Sequence, residues 1–462
     1  MRSKLLTVLV SSLLASGCGT ESGPGYDAPG DVTPDGVDAA GDVPSDVPGD
    51  DAPPTWGVRL HGTVWGPGRM FPVSGALVAA FAARQDDISE MPYCEPCIDL
   101  PSGVPNTTSN PDGTFTLHVP EGMDYWIVVQ KGQFRRMREY AAPTEVGDVD
   151  LPVDMTTLPS LKDQPAGDMT PNIALVYGDY DALQDVLGKA GIGAVDGSYN
   201  FVWGSEDGVF DVYDNSMPGS GSEHHGENLD NLILNLARMM EYHIIFFVCS
   251  YNANFDFMDN TTVQNNMRDY VRAGGKLYVS DYAYYVADMP WTEFLWFDEP
   301  LHGGCVENAF PGGCNGGPPF DAPSRSPEDD LSAWLIAVDD EVAEGAGGMA
   351  EFETLENWDN IGEIFESYVG DDIDGMPVRM FPRVWVEGIW NYDLEDVPSG
   401  WDYETYHPFT VSWPYGCGRV LFTTYHTVGD TSGGKHPGFL TQELILWYLI
   451  MELQVCQETV LI

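Results

Sequence analysis

The chain has 462 residues, with 72 acidic side chains against 20 basic ones and a formal net charge of −52. A chain of this length is expected to form two or more domains, and its 43% apolar content is enough to build sizeable cores. The acidic excess excludes nucleic acid as a partner, because nucleic-acid phosphates are bound through lysine and arginine. The same repulsion disfavours electrostatic adhesion to anionic lipid.

Residues 1–18 have the pattern of an export signal. Arg2 and Lys4 precede a short apolar run, and Ala15-Ser16-Gly17-Cys18 follows it. This stretch resembles the lipobox of bacterial lipoproteins, which implies that Cys18 carries the lipid and becomes the mature N-terminus. Gly19 after the cysteine implies sorting to the outer membrane, on its periplasmic face or at the cell surface. The alternative is an ordinary cleaved signal peptide in which the cysteine is incidental.

Residues 19–55 are rich in proline, glycine and aspartate. Between Glu21 and Thr55 the chain has nine acids and no lysine or arginine. Such a stretch cannot bury enough apolar surface to fold, so we expect a disordered, extended tether that holds the folded part away from the membrane. No other stretch of the sequence approaches the ~20 apolar residues that a membrane helix needs.

Residues 56–158 read as short strands separated by turns. Val58–Trp65 and Val73–Phe81 are strand candidates, and Asn110-Pro111-Asp112-Gly113 predicts a tight turn. This part resembles the carboxypeptidase regulatory-like, transthyretin-like β-sandwich in four stretches: Gly62–Val64, Pro72–Ala76, Asp112–Phe115 and Val119–Gly122. The resemblance implies a non-catalytic accessory module with a carbohydrate-binding-like fold.

From residue 171 onward the pattern changes to alternating strands and helices. The clearest unit runs from Tyr242 to Asp281, where an amphipathic helix over Thr262–Arg272 and the pair Gly274-Gly275 separate two apolar runs. This is the pattern of two buried parallel strands joined by a helix that a left-handed glycine ends. Residues 171–462 are therefore predicted to form an α/β domain with a flavodoxin-like, mostly parallel sheet and an insertion at about 283–383.

Tyr270–Leu277 and Tyr415–Val420, with Thr423–His426, resemble the class I glutamine amidotransferase-like superfamily, especially its trehalose-utilisation-type branch. The amidotransferases have a Gly-x-Cys-x-Gly elbow after the strand that this chain ends with Val279-Ser280-Asp281-Tyr282. They also have a His-x-Glu motif where this chain has His426-Thr427-Val428. Because both motifs are missing, we do not expect glutamine hydrolysis.

Ligands of an open parallel sheet bind beyond the carboxyl ends of its strands. The side chains predicted to lie there are Asp179, Cys249, Asn252, Ser280, Asp281, Tyr282, His426 and Asp430. Ser280 with His426 and Asp430 would suit a hydrolase triad, but Ser280 lacks a G-x-S-x-G context and is otherwise explained as a cap of the next segment. No basic residue adjoins Cys249 in sequence, so we expect a buried, unpaired thiol.

A cofactor has little support in the sequence. Asp371, Asp372 and Asp374 could hold calcium, but the later acidic ligand of a calcium loop is absent. We therefore expect neither a metal ion nor another cofactor, with calcium as the alternative.

Seven cysteines remain beside Cys18, so at least one is unpaired within the chain in an oxidising compartment. The closing helix runs back about as far as the last strand runs forward, which would bring Cys456 to the edge of the sheet where Cys417 lies. Cys249 is then left free. The predicted pairs are Cys94–Cys97, Cys305–Cys314 and Cys417–Cys456.

Two functions fit these patterns. The first is an outer-membrane-anchored lipoprotein that acts as a non-catalytic binding or structural module, with a glycan or an envelope protein as its partner. The alternative is an envelope hydrolase of glycans or esters that uses Ser280 or Asp281 with His426. Convergence of Asp179, Ser280, Asp281 and His426 in one open pocket would favour the hydrolase, whereas scattered or inaccessible side chains would favour the binding module.

Overall fold

The structure is a computed structural model that describes residues 57–94, 100–216, 225–250, 252–297, 320–359, 361–389, 405–427 and 437–452. These residues belong to one compact unit. Several predictions concern positions outside the described residues: the lipobox with Cys18, the tether, Asp430, and the cysteines Cys97, Cys305, Cys314 and Cys456.

The first part of the chain forms two sheets, whose strand orders are β4-β1-β7 and β3-β2-β5-β6-β8. Phe115, Leu117 and Val119 are buried and alternate with exposed residues, as expected for a strand with one face against a core. The elements are β1 (Val58–Thr63), β2 (Leu77–Phe81), β3 (Asn106–Thr108), β4 (Thr114–Val119), β5 (Asp124–Lys131), β6 (Phe134–Ala141), β7 (Gly147–Asp150), α1 (Val153–Thr156) and β8 (Asp168–Met169).

The next part alternates strands and helices. Its predicted central unit is confirmed: the helix covers Thr261–Arg272, and Gly274 follows it with a φ of +113°. The elements are β9 (Ile173–Tyr177), α2 (Leu183–Lys189), β10 (Asp211–Asp214), β11 (Glu227–Asn228), α3 (Asp230–Ile233), α4 (Leu236–Met239), β12 (Ile244–Phe247), α5 (Thr261–Arg272), β13 (Lys276–Ser280) and α6 (Tyr284–Asp288).

The predicted insertion carries regular structure of its own. The remaining elements are β14 (Leu295–Phe297), β15 (Phe320–Arg325), α7 (Asp329–Val338), β16 (Ala343–Glu344), β17 (Ala350–Asn357), β18 (Ile361–Ile364), β19 (Ser367–Asp371), β20 (Pro377–Met380), β21 (Arg383–Ile389), β22 (Tyr406–Tyr415), β23 (Gly418–Thr423) and α8 (Thr441–Glu452). Within the described ranges, no helix is both long enough and apolar enough to cross a membrane.

One sheet of 11 strands organises the α/β part, in the order β11-β10-β9-β12-β13-β23-β22-β21-β15-β17-β16. Neighbouring strands from β11 to β23 are parallel, and those from β23 to β16 are antiparallel. The predicted α/β class is confirmed. The residues predicted as an insertion contribute β15, β16 and β17 to this sheet. The prediction of a mostly parallel sheet is wrong, because five of the ten neighbouring strand pairs are antiparallel.

The amino ends of the parallel strands are held by a segment from the first part of the chain. The ring of His243 donates from Nε2 to the carbonyl oxygen of Ser89, at 2.8 Å, and Asn172 donates to the carbonyl of Glu90, at 2.9 Å. A disulfide then joins Cys94 to Cys417, with their Cα atoms 5.0 Å apart. We call residues 89–94 the amino-edge latch.

The disulfide of the amino-edge latch differs from two disulfides predicted from the sequence. Cys94 and Cys417 are both bonded, but to each other, so the pairs Cys94–Cys97 and Cys417–Cys456 are wrong. Cys417 does precede its strand at the amino edge, as predicted, but a segment some 320 residues earlier in the chain reaches that edge first. The prediction of a free, buried Cys249 is confirmed.

Peptide mapping under non-reducing conditions should therefore yield a Cys94–Cys417 cross-link. Because this bond closes a loop of 323 residues, the double substitution Cys94→Ser, Cys417→Ser should lower the free energy of unfolding by about 3–5 kcal/mol. The control is Cys249→Ser, which removes a thiol without removing a cross-link. A Cys417–Cys456 peptide would contradict this assignment.

His243 should make the latch sensitive to pH. Burial is the main cause that lowers the pKa of His243 to about 4, from an ordinary value of 6.5. Its neutral form is favoured in the folded state, so stability is full above pH 6.5 and falls as the pH drops from 6.5 towards 4. Chemical denaturation should show a loss of about 2 kcal/mol between pH 7.5 and pH 5. His243→Gln should remove that part of the pH dependence. A variant whose stability depends on pH as the wild type's does would contradict the role given to His243.

Candidate functional site

Four parallel strands end at the opposite, carboxyl edge of the sheet, and the side chains after them meet there. Asp181 follows β9, Cys249 follows β12, Asp281 follows β13 and His426 follows β23. Their exposed fractions range from 0% for Asp281 to 4% for His426. The predicted convergence at this edge is therefore seen, but in a buried cluster.

Asp281 is the first residue after β13, where the chain turns sharply into a short helical segment. Its φ is +50°, a left-handed conformation that costs a non-glycine residue about 1–3 kcal/mol. Among the described residues, neither oxygen of its carboxylate makes a well-aligned hydrogen bond, although the backbone N–H of Tyr282 is close enough to favour the charged carboxylate. A strained and buried carboxylate without a well-aligned partner is unusual in a folded core, and this makes the position a candidate for function.

His426 lies between two acids. Its Nδ1 is 2.8 Å from Oε2 of Glu356 and hydrogen-bonds to it, and its Nε2 is 3.2 Å from Oδ2 of Asp281. The second pair lies close together but is not aligned as a hydrogen bond. Because an ionised carboxylate only accepts hydrogen bonds, Nδ1 carries the hydrogen of its bond to Glu356, and in a neutral ring the lone pair of Nε2 faces Asp281.

Glu356 reaches the histidine from the segment predicted as an insertion. It lies near the end of β17, where the pairing with β15 shifts register between Phe320 and Ala322, and its φ is +54°. Such a bulge redirects the side chains beside it. The backbone N–H of His426 also approaches the carbonyl of Glu356, at 3.3 Å. A glutamate therefore contacts the histidine although the chain has no His-x-Glu motif.

The charges around Asp281 are mostly negative. Burial raises the pKa of Asp281 well above its usual value, and the neighbouring charges of Asp359, Asp181 and Glu356 raise it further. Burial likewise raises the pKa of the Cys249 thiol, with Asp281 as the next contributor. In the described part of the chain, no lysine or arginine makes an ion pair with Asp281.

Ser280 has a different set of partners from the one a nucleophile needs. Its hydroxyl donates to Oδ2 of Asp181, at 2.9 Å, and accepts the backbone N–H of Cys249, at 3.2 Å. Asp181 also accepts the backbone N–H of Thr427, at 2.9 Å. Ser280 and Asp181 thus join the ends of four strands, β9, β12, β13 and β23, and the Ser280 hydroxyl makes no hydrogen bond to His426.

The remaining predicted residues lie around this cluster or away from it. Asp179 is half-buried, and Oγ of Ser250 lies 2.9 Å from its Oδ2. Tyr282 is buried and its ring lies 5.9 Å from that of Trp358. The backbone of Asn252 begins a 3₁₀ helix, and its side chain is outside the described residues, as is Asp430.

The calcium candidates form the turn between β19 and β20. Oδ1 of Asp372 accepts the backbone N–H groups of Asp374 and Met376, at 2.9 and 2.8 Å, so this carboxylate is used by the turn itself. Among the described residues, three potential metal ligands come together only at Cys249, Asp281 and His426.

A pocket of about 470 Å³ lies beside the ends of β10 and β11, and none of the residues of the buried cluster lines it. Asn215 is part of its wall, and the carbonyl oxygen of Asn215 lies 3.0 Å from Oγ of Ser250, the residue after Cys249. Its lining residues are Asp214, Asn215, Ser216, Gly226, Glu227, Asn228, Leu229, Asp230 and Phe257. This volume suits a small organic ligand.

Sequence reasoning missed Asp181, Glu356 and Asp359. Asp181 lies two residues beyond Asp179, which was predicted, so reading the strand end slightly further would have found it. Glu356 and Asp359 lie in the presumed insertion, and no local pattern connects them with His426.

Known proteins add little to this description. No protein-family profile matches the chain, and no curated protein matches it. Among solved structures, the cytoplasmic protein STM3548 from Salmonella typhimurium is 10% identical with a TM-score of 0.30, covering 61% of this chain and 98% of that one. Gan42B, a GH42 beta-galactosidase, is 11% identical with a TM-score of 0.24, covering 63% of this chain and 31% of that one. Neither likeness carries an argument about function.

Proposed function

We propose that this chain is a hydrolase of the cell envelope that acts on esters or glycans through Asp281 and His426. The observation that carries the proposal is the alignment of three side chains: Asp281 at a strained elbow, His426 at 3.2 Å from it, and Glu356 hydrogen-bonded to the far side of the ring. Hydrolases use the same order of roles, in which an acid orients a histidine and the histidine faces the reacting group.

Each residue has a role that follows from its contacts. Glu356 holds the tautomer of His426, as the third member of a triad does. In a site without a metal ion, Nε2 would then accept and return a proton beside Asp281. Asp181 and Ser280 hold the strand ends in place and act as positioning residues. Because Asp281 and His426 are buried, hydrolysis requires this edge of the sheet to open to the substrate.

The proposal also covers the localisation of the protein and the role of its first folded part. Lipid on Cys18 would anchor the chain to the outer membrane, and residues 19–55 would give the folded part its reach. The two-sheet part at residues 56–158 would act as a carbohydrate-binding-like module beside an amidotransferase-like α/β domain at 171–462. The order of strands and turns in the sequence supports these assignments.

A second candidate function is a non-catalytic binding module. The observation that favours it is burial: Ser280 and Asp281 have no exposed surface and His426 has 4%. This is the inaccessible arrangement that, by the criterion stated from the sequence, favours a binding module over a hydrolase. In this case the cluster would stabilise the sheet edge, and a glycan or an envelope protein would bind elsewhere on the chain.

A substrate screen separates the two functions. The full chain, purified in detergent, should turn over at least one member of an ester, glycoside or amide panel. His426→Ala should then lower kcat/KM by about 100-fold or more, since the group that moves protons is lost. The control is His61→Ala, which removes a half-exposed histidine paired with Asp148 in the first sheet. Activity that survives His426→Ala, or no turnover on any panel, would overturn the hydrolase.

Lipid attachment at Cys18 can be tested separately. Wild-type protein should partition into the detergent phase, and Cys18→Ser should move it to the aqueous phase, because the lipid is attached to that thiol. The control is Cys249→Ser, which should stay in the detergent phase. A wild-type protein that partitions into the aqueous phase would show that the lipobox assignment is wrong.

A further inference from the structure

We propose that Cys249, Asp281 and His426 form a binding site for a divalent transition metal, with zinc as the ion that fits best. Their ligand atoms all lie within 4.8 Å of one another, and all three residues are buried. This inference goes beyond the hydrolase, because metal binding stands whether or not the chain has catalytic activity.

The contacts of Asp281 and His426 point to a ligand between them. In the described part of the chain, neither the carboxylate of Asp281 nor Nε2 of His426 makes a well-aligned hydrogen bond, although the two residues approach to 3.2 Å. The backbone N–H of Tyr282 favours negative charge on both Asp281 and Cys249. Tetrahedral zinc bonded at ~2.0–2.1 Å to nitrogen and oxygen separates its ligands by about 3.3 Å. The observed separation between Nε2 and the carboxylate oxygen is therefore compatible with a shared ion.

The ligand types select the metal. A cysteine sulfur, an imidazole nitrogen and one carboxylate oxygen suit zinc, whereas calcium and magnesium prefer oxygen ligands alone. Three protein ligands leave a fourth position open to water or substrate, as catalytic zinc sites do. A water held there would lose a proton near neutral pH, which would supply the nucleophile for hydrolysis.

Glu356 completes the arrangement outside the ligand shell. Zinc-binding histidines usually donate their second ring nitrogen to a carboxylate, and Nδ1 of His426 does so to Glu356 at 2.8 Å. The surrounding charge favours a cation as well. Asp359, Asp181 and Glu356 all act on Asp281 with negative charge, and a dication would turn that repulsion into attraction.

Cobalt binding tests the ligand set directly. The full chain, stripped of metal with a chelator, should bind one Co²⁺ per chain and show the near-ultraviolet band of sulfur-to-cobalt charge transfer. Cys249→Ser should abolish the band. Glu356→Gln should weaken cobalt or zinc binding by about 10–100-fold, as expected for the carboxylate that orients a ligand. The matched control is His61→Gln, which disrupts a histidine–aspartate contact of 3.0 Å outside the cluster and should change nothing.

Thermal unfolding with and without zinc distinguishes a lost metal ligand from a variant that fails to fold. Asparagine tolerates the left-handed backbone of position 281 as aspartate does. Without metal, Asp281→Asn should be at least as stable as the wild type, because it removes a buried charge from an acidic cluster. Zinc should raise the Tm of the wild type but not that of Asp281→Asn. A residue with only a structural role would instead lower the Tm of the variant with and without zinc.

The outcomes for metal and for hydrolysis can be told apart. A wild-type protein without the cobalt–sulfur band, or a band that survives Cys249→Ser, would overturn the metal site. Hydrolysis that persists after chelation in protein that binds no zinc would retain the hydrolase and remove the ion. Zinc binding that depends on Cys249 and Asp281, without hydrolysis of any substrate, would support the metal site and overturn the hydrolase.

Discussion

The contact between Asp281 and His426 is the constraint on which the carboxyl edge of the sheet depends. A buried carboxylate without a counter-charge is costly, so it needs a proton, a cation or an aligned hydrogen bond. The structure offers no aligned hydrogen bond to Asp281 within its described residues, and it places further carboxylates nearby instead of a lysine or an arginine. The proposed metal site would supply that cation, and the proposed hydrolase would use the carboxylate in its reaction.

The rest of the fold holds this edge in place. Parallel strands bring Asp181, Cys249 and Asp281 together from one side, and the antiparallel half of the sheet brings Glu356 from the other. At the far end of the same strands, the amino-edge latch fixes their starting points through a disulfide and two hydrogen bonds. Strands held at both ends suit a site that needs its side chains in fixed positions.

Sequence reasoning was strongest where the rule it used was local. An apolar run, an amphipathic helix and two glycines predicted β12, α5 and β13, and the rule that parallel strands end at one edge predicted that Asp281 and His426 would meet. It failed for Glu356 and for the Cys94–Cys417 disulfide. The glutamate depends on a bulge in a strand 70 residues before the histidine, and the disulfide joins cysteines 323 residues apart. Neither pairing leaves a periodic or compositional trace, because each depends on how distant segments pack.

The most direct test is a crystal structure of the zinc-soaked full chain, with anomalous diffraction measured on both sides of the zinc absorption edge. The account predicts one strong anomalous peak, at ~2.3 Å from Sγ of Cys249 and ~2.0–2.2 Å from Nε2 of His426 and an oxygen of Asp281. Glu356 should remain hydrogen-bonded to Nδ1. A map without a peak at this position, in which the carboxylate of Asp281 hydrogen-bonds directly to His426 or to protein donors, would contradict the account.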